Sequence, residues 1–151
     1  MGELEIDPET GGLTVKRYAA VDDVGRCINP MIVHGQTHGG IAQGVGQALW
    51  EECVLDPQSG QPISSSLMDY GIPRFDNLPS LETQITEVLS PTNPLGIKAG
   101  GEGGTTPALA VITSVVEDAL RPICGSVNIE MPITPFKVWA ALESARVSRS
   151  L

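Results

Sequence analysis

Apolar and polar residues alternate over residues 3–7 and again over residues 13–21, with Asp7-Pro8-Glu9-Thr10-Gly11 between them. Alternation at period two marks a strand with one covered face, and an acid–proline–glycine cluster marks a turn, so the chain opens as a β-hairpin. Asp22-Asp23-Val24-Gly25 breaks the second strand. Asn29-Pro30 reads as an N-cap followed by the first helical position. It predicts a helix to about Glu52, with Ile41, Val45, Ala48, Leu49 and Glu52 along one face. A second Asp-Pro-x-x-Gly turn, at Asp56 to Gly60, predicts another hairpin over residues 54–62. Residues 67–79 have no period and read as a connecting segment, and residues 81–89 alternate as a strand. Leu109, Ile112, Val116 and Leu120 then form a helical stripe. Thr106-Pro107 starts that helix as cap and first position, and Arg121-Pro122 closes it. A short strand is expected at residues 128–131. A last amphipathic helix is expected at residues 135–145, with Phe136, Trp139, Ala140 and Leu142 as its apolar residues, followed by a frayed tail at residues 146–151. This order predicts a single α+β domain over residues 1–151, in two layers. Its sheet is mixed and mostly antiparallel, with two main helices and a C-terminal helix on one face.

Two glycine-rich stretches depart from this pattern. The first helix contains Gly35, Gly39, Gly40, Gly44 and Gly46. An interior glycine costs about 0.8–1 kcal/mol against alanine, so five together cost roughly 4–5 kcal/mol. Gly35/Gly39 and Gly40/Gly44 are each four apart and form smooth strips, against which either a neighbouring backbone or a ligand fits. Gln36 and Gln43, two turns apart, offer amide donors and acceptors to one side. Burying both the glycine strip and the Ile41/Val45/Leu49 stripe looks beyond so small a domain, so an exposed apolar patch is expected.

The second stretch is the loop at residues 94–107, PLGIKAGGEGGTTP. It places five glycines, Lys98 and Glu102 between Gly96 and Gly104, immediately before a helix start. Free N–H groups at a glycine loop and a helix start suit an anion. The nucleotide-binding loops do not fit. A P-loop needs Gly-Lys, which this chain lacks, and dinucleotide spacing from Gly101 needs a glycine where Thr106 stands. A plain surface turn remains the other reading of this loop.

Composition narrows the partners. A net charge of −9 disfavours nucleic acid and anionic membrane, and 4% aromatic residues supply no base-stacking platform. No apolar run approaches the ~20 residues of a membrane span, and the N-terminus has no basic or apolar leader, so a cytoplasmic location is expected. Cys27, Cys53 and Cys124 are scattered, with no CxxC, and are expected to be buried thiols and not a disulfide, zinc or iron–sulfur framework. His34 and His38 lie one helical turn apart, but no third ligand accompanies them, so no metal site is assigned.

Three blocks carry a resemblance: YAAVDDVGRCINPMIVHGQTHGGIAQGVGQALWEE, LMDYGIPRFDNLP and GIKAGGEGGT. In this order and spacing they resemble the C-terminal part of the molybdenum-binding large subunit of the xanthine oxidase family. That family includes xanthine dehydrogenases, aldehyde oxidases and aerobic carbon monoxide dehydrogenases. The similarity runs from about Glu3 to Leu142, and the GEGGT form is closer to the bacterial members. The resemblance implies a molybdopterin-binding domain and a molybdopterin cofactor carrying molybdenum, in some members as the cytosine dinucleotide. Glu102 then matches the active-site glutamate, acting as general base. Gln36 matches the glutamine that contacts the cofactor, and Gly39, Gly40, Lys98, Gly100 and Gly101 fall where the family's chain passes close to it. The implied reaction is oxidation of an aldehyde, an N-heterocycle or carbon monoxide with oxygen from water. Electrons leave through iron–sulfur clusters and FAD on other subunits. The implied partners are the remainder of the large subunit, the iron–sulfur small subunit and the FAD-binding subunit. The chain is much shorter than that large subunit. As an alternative it is a stranded fragment or assembly module that binds no cofactor alone.

Overall fold

The computed structural model describes residues 1–150, with the side chain of Ser150 excepted. Three strands and three helices follow one another: β1 (Gly2–Ile6), β2 (Leu13–Asp23), α1 (Pro30–Leu49), β3 (Leu81–Thr86), α2 (Thr105–Cys124) and α3 (Pro135–Ser150). The opening hairpin forms as expected. Its turn is closed by Gly11 N–H to the Asp7 carbonyl at 2.8 Å, while Asp7 Oδ1 accepts from Glu9 N–H at 2.9 Å. Alternation along β2 breaks between Val15 and Tyr18, both buried, because the β1–β2 register shifts between Glu3 and Leu4 and leaves Lys16 and Arg17 both outside. This bulge keeps Val15 and Tyr18 on the covered face.

The sheet order is β1-β2-β3, antiparallel between β1 and β2 and parallel between β2 and β3. A parallel pair needs a crossover, and α1 with the long segment after it supplies one. Within that segment the second Asp-Pro-x-x-Gly turn forms as the first does, with Gly60 N–H to the Asp56 carbonyl at 2.8 Å, but its flanks pair only through a single bridge, Leu55 to Pro62. The second hairpin expected from sequence is therefore a turn without strands: residues 51–55 and 61–65 lie mostly exposed, with no covered face to hold a ladder. Residues 128–131 likewise form no strand. They pass over the core as a loop, with Ile129 and Ile133 buried and Ile133 N–H donating to the Ala48 carbonyl at 2.7 Å.

The core joins Val15 and Tyr18 of the sheet to Ile41, Val45, Ala48 and Leu49 of α1, to Ala108, Ile112, Val116 and Leu120 of α2, and to Val138 and Leu142 of α3. α1 starts as the sequence predicts, with Asn29 Oδ1 accepting from Ile32 N–H at 3.2 Å, and it ends three residues early. α2 differs at both ends. It begins at Thr105 after Gly104, with no side-chain cap, so Thr106 lies inside the first turn. It also continues through Pro122 to Cys124, since a proline near the end forfeits one bond, and Gly125 at φ 75° ends it. Its buried stripe starts at Ala108, with Leu109 at its edge. In α3 the helix continues through residues 146–150, and Val138 and Leu142 carry the burial. Phe136, 71% exposed, stacks on Trp139 outside.

The Ile41/Val45/Leu49 stripe and the Gly40/Gly44 strip of α1 are both buried, contrary to the sequence expectation, because α2 meets α1 at those two glycines. A Cβ on Gly44 would lie 2.5 Å from the Thr105 carbonyl oxygen and 2.7 Å from Ala108 Cβ, and one on Gly40 would lie 3.0 Å from Thr105 N. Gly35 and Gly39 face open space. No helix is long and apolar enough to cross a membrane among the described residues.

Candidate functional site

The chain leaving β2 and the glycine loop are stapled together before the one enters α1 and the other α2. Gly25 and Ile97 form an antiparallel bridge, with Lys98 N–H to the Val24 carbonyl at 2.9 Å and Arg26 N–H to the Gly96 carbonyl at 3.0 Å. The backbones approach so closely that Gly25, at φ 62°, has no room for a side chain. Adjacent acids at the end of β2 then fix the surroundings in two directions. Asp22 Oδ2 accepts from Thr37 Oγ1 at 2.7 Å and ties down α1. Asp23 ties down the loop: Oδ2 accepts from Lys98 Nζ at 2.5 Å, and Oδ1 accepts from the Gly25 and Val88 N–H groups, each at 3.0 Å.

The Lys98 ammonium and the two amides hold the Asp23 carboxyl at about 2, well below the usual range. A carboxyl whose pKa is lowered by folding stabilises the fold above its ordinary value near 3.8, and that stabilisation is lost as pH falls through about 2. Asp23 is accordingly expected to stay ionised at pH 3 while exposed carboxyls protonate. Carbon-detected NMR titration of the Asp carboxyls checks this, and a midpoint for Asp23 near 4 would show the latch open.

Beside this staple lies a cavity of about 370 Å³, lined by Val24, Arg26, Ile32, Gln36, Lys98 and Gly101 among others. Four of the residues singled out from sequence meet here: Gln36, Lys98, Gly100 and Gly101. Gln36 Nε2 donates to the Gly101 carbonyl at 2.8 Å and so links α1 to the loop across 65 positions of sequence. Gly101 faces open space in the direction a side chain would take, as does Gly39 on α1. Gly40 does not share this exposure. It is buried against Gly104 and Thr105, so its place is in helix packing. Gln43 also turns from the cavity toward α2, and its Oε1 accepts from Thr105 Oγ1 at 3.4 Å.

Glu102 follows Gly101 at the loop's crest, outside the cavity wall. Its side chain is exposed and has no ion-pair partner among the described residues, and its carbonyl accepts from Thr106 N–H at 3.2 Å in the first turn of α2. His34 Nδ1 and His38 Nε2 do share a side, and both meet Thr83 Oγ1, at 2.7 and 2.9 Å, joining α1 to β3. No group of three metal-ligating side chains occurs among the described residues. The sequence reading missed Asp22, Asp23 and Arg26. Two adjacent acids at a strand end are the only local signal, and their side-chain partners, Thr37 and Lys98, lie 15 and 75 positions away.

Known proteins resemble this chain in sequence and in fold. The 6-hydroxypseudooxynicotine dehydrogenase complex subunit gamma of Paenarthrobacter nicotinovorans is 38% identical over 139 residues, 91% of this chain and 17% of that protein. The carbon monoxide dehydrogenase large chain of Hydrogenophaga pseudoflava is 36% identical over 140 residues, 93% of this chain and 17% of that one. In structure, quinoline 2-oxidoreductase from Pseudomonas putida 86 superposes with a TM-score of 0.87 at 41% identity, covering 94% of this chain and 18% of that chain. The chain thus spans about a sixth of the length of the relatives it matches. A family model described as the molybdopterin cofactor-binding domain matches residues 1–79, a stretch that includes β1, β2, α1 and Gln36 but not the glycine loop. With the hairpin, the glycine-bearing helix and Gln36 all inside the matched residues, the chain belongs to the molybdopterin cofactor-binding domain family.

Proposed function

We propose that this chain, as one domain over residues 1–151, forms one wall of the cofactor site of a molybdenum hydroxylase and carries its proton-accepting residue, Glu102. The observation that carries the reading is the Gln36–Gly101 contact at 2.8 Å, beside two positions, Gly39 and Gly101, where nothing stands in the side-chain direction. A large anionic group fits such a wall: backbone N–H groups of a glycine loop approach it without bulk, and the Gln36 amide fixes its orientation. Gln36, Gly39, Gly100 and Gly101 would hold the molybdopterin there, in its plain or cytosine dinucleotide form. When bound, that group supplies the redox centre for oxidising a C–H bond or carbon monoxide. Glu102 contributes a carboxylate with no ion-pair partner among the described residues, on a loop braced at both ends, by the Val24–Lys98 bond before it and the start of α2 after it. Enclosed by the rest of a large subunit, that carboxylate takes up the proton released as water-derived oxygen is transferred. Lys98 braces the loop through Asp23.

Substrates in the class of aldehydes, N-heterocycles or carbon monoxide, and iron–sulfur and FAD-binding subunits as electron acceptors, belong to this reading. Exposed apolar residues between α1 and β3, with Phe75 99% and Met68 92% exposed, suit a surface that the remainder of a large subunit covers.

The open wall also favours a second reading, in which the chain folds but holds no cofactor unaided. The purified 151-residue chain is expected to contain no molybdenum and to hydroxylate nothing, because only the segments around Gln36 and Glu102 contribute contacts. Elemental analysis tests this, and stoichiometric molybdenum on the lone chain would overturn it. Co-expression with the complementary part of a relative's large subunit tests the enzyme reading. Restored molybdenum and turnover support it, and a soluble complex without metal sinks it.

A further inference from the structure

Among the described residues two cations line the cavity, and only one of them is free to meet an anion. Lys98 Nζ is spent on Asp23 at 2.5 Å, inside a carboxylate that also takes two backbone N–H groups. The pair is close to electroneutral and is fixed in place by three separate segments. Arg26 has no carboxylate within 4.0 Å among the described residues. Its Nε donates to the Leu95 carbonyl at 2.9 Å and its own N–H to the Gly96 carbonyl at 3.0 Å. Backbone and guanidinium are therefore both pinned to the glycine loop, and the two terminal nitrogens keep their donors. A guanidinium held at Nε presents the fork that matches two oxygens of a phosphate, and little rotamer freedom remains to be lost on binding. Apart from Asn29, whose Oδ1 accepts from Ile32 N–H at 3.2 Å to cap α1, the remaining side chains of the lining are apolar, from Val24, Ile28, Ile32, Val33 and Ile97, so the guanidinium and the Gln36 amide are the main groups that orient a polar ligand.

We propose that Arg26, and not Lys98, is the anion-binding residue of this site, and that it recognises phosphate oxygens of a phosphate ester or pyrophosphate group. The inference rests on the cofactor reading above for the source of that phosphate, but not for the chemistry of the contact. Lys98 is a positioning residue that acts through Asp23 on the loop.

The test uses the 151-residue chain with inorganic pyrophosphate as probe and sulfate as the charge control, followed by nitrogen–proton NMR. Pyrophosphate is expected to shift the Arg26 Nε–H resonance and the amides of Gly100 and Gly101, with sulfate weaker. Arg26→Ala should raise the pyrophosphate Kd about tenfold or more, and Arg26→Lys, which keeps charge but loses the fork, should recover only part of it. The double variant Asp23→Asn with Lys98→Met removes the ion pair without changing net charge; it loosens the loop but keeps the Arg26 fork, so it should weaken binding by less than Arg26→Ala does. A larger loss in the double variant than in Arg26→Ala, shifts confined to other basic residues, or no saturation with a folded chain would each overturn the proposal. Failure of the cofactor reading looks different. Pyrophosphate binding through Arg26 would persist while the complemented large subunit stayed free of molybdenum.

Discussion

Glu102→Gln, introduced into an active large subunit completed around this chain, is expected to lower the rate of substrate oxidation by about 10²–10⁴-fold with molybdenum content unchanged. The amide has nearly the shape of the carboxylate and can still accept a hydrogen bond, but it cannot take up a proton at Oε. Nothing in the fold depends on the charge: the side chain is exposed and pairs with no cation among the described residues, and its bond to α2 runs through the backbone carbonyl. Stability should therefore move by no more than about 0.5 kcal/mol. Single-turnover reduction by substrate, with metal content measured on the same sample, is the relevant experiment. A variant holding full molybdenum and reducing within about threefold of the parent rate would remove Glu102 from the chemistry and withdraw the main functional argument for the loop.

The elements that the sequence made legible are those that local chemistry decides. Alternation placed the three strands, and Asn29-Pro30 placed the start of α1, because a cap bond and a proline at the first position act within three residues. The failures arose where distant packing outweighs local signals. Thr106-Pro107 looks like a cap and first position, yet α2 starts at Thr105 because Gly104 must lie flat against Thr37 and Ile41 of α1. Phe136 and Trp139 are the most apolar-looking residues of the last helix. The covered face passes instead through Val138 and Leu142, which meet the core. The same distinction holds at the site. Gln36 and the glycine loop stand out by composition and are brought together in space. Asp23, which holds the loop, has ordinary strand-end chemistry, and its importance comes from partners at Val88 and Lys98 that no window of sequence joins. Lys98, prominent in sequence as a charge among glycines, is occupied by that same residue.

Glycines within one helix should respond to alanine with opposite signs, and this follows from how α1 meets α2. Gly35→Ala enters open space and should stabilise the chain by about 0.8–1 kcal/mol, the ordinary helix preference for alanine. Gly44→Ala gains the same preference but sets a methyl 2.5 Å from the Thr105 carbonyl oxygen and 2.7 Å from Ala108 Cβ. The first of these is backbone in the opening turn of α2, so the strain cannot be relieved by a side-chain rotation. Overpacking of this kind costs about 1–3 kcal/mol, enough to outweigh the propensity. Relief requires α2 to move away from α1, and Gly101 and Glu102 precede α2 by only a few residues. The Gln36–Gly101 contact should then lengthen, so that Gly44→Ala loosens the loop as well as the core. Thermal unfolding of the two variants gives the sign of each change, and hydrogen exchange at Gly101 and Gly103 reports the loop. A Gly44→Ala chain as stable as the Gly35→Ala chain would mean that the helices are not in backbone contact, and the glycines of α1 would then need another explanation, such as a ligand lying along them.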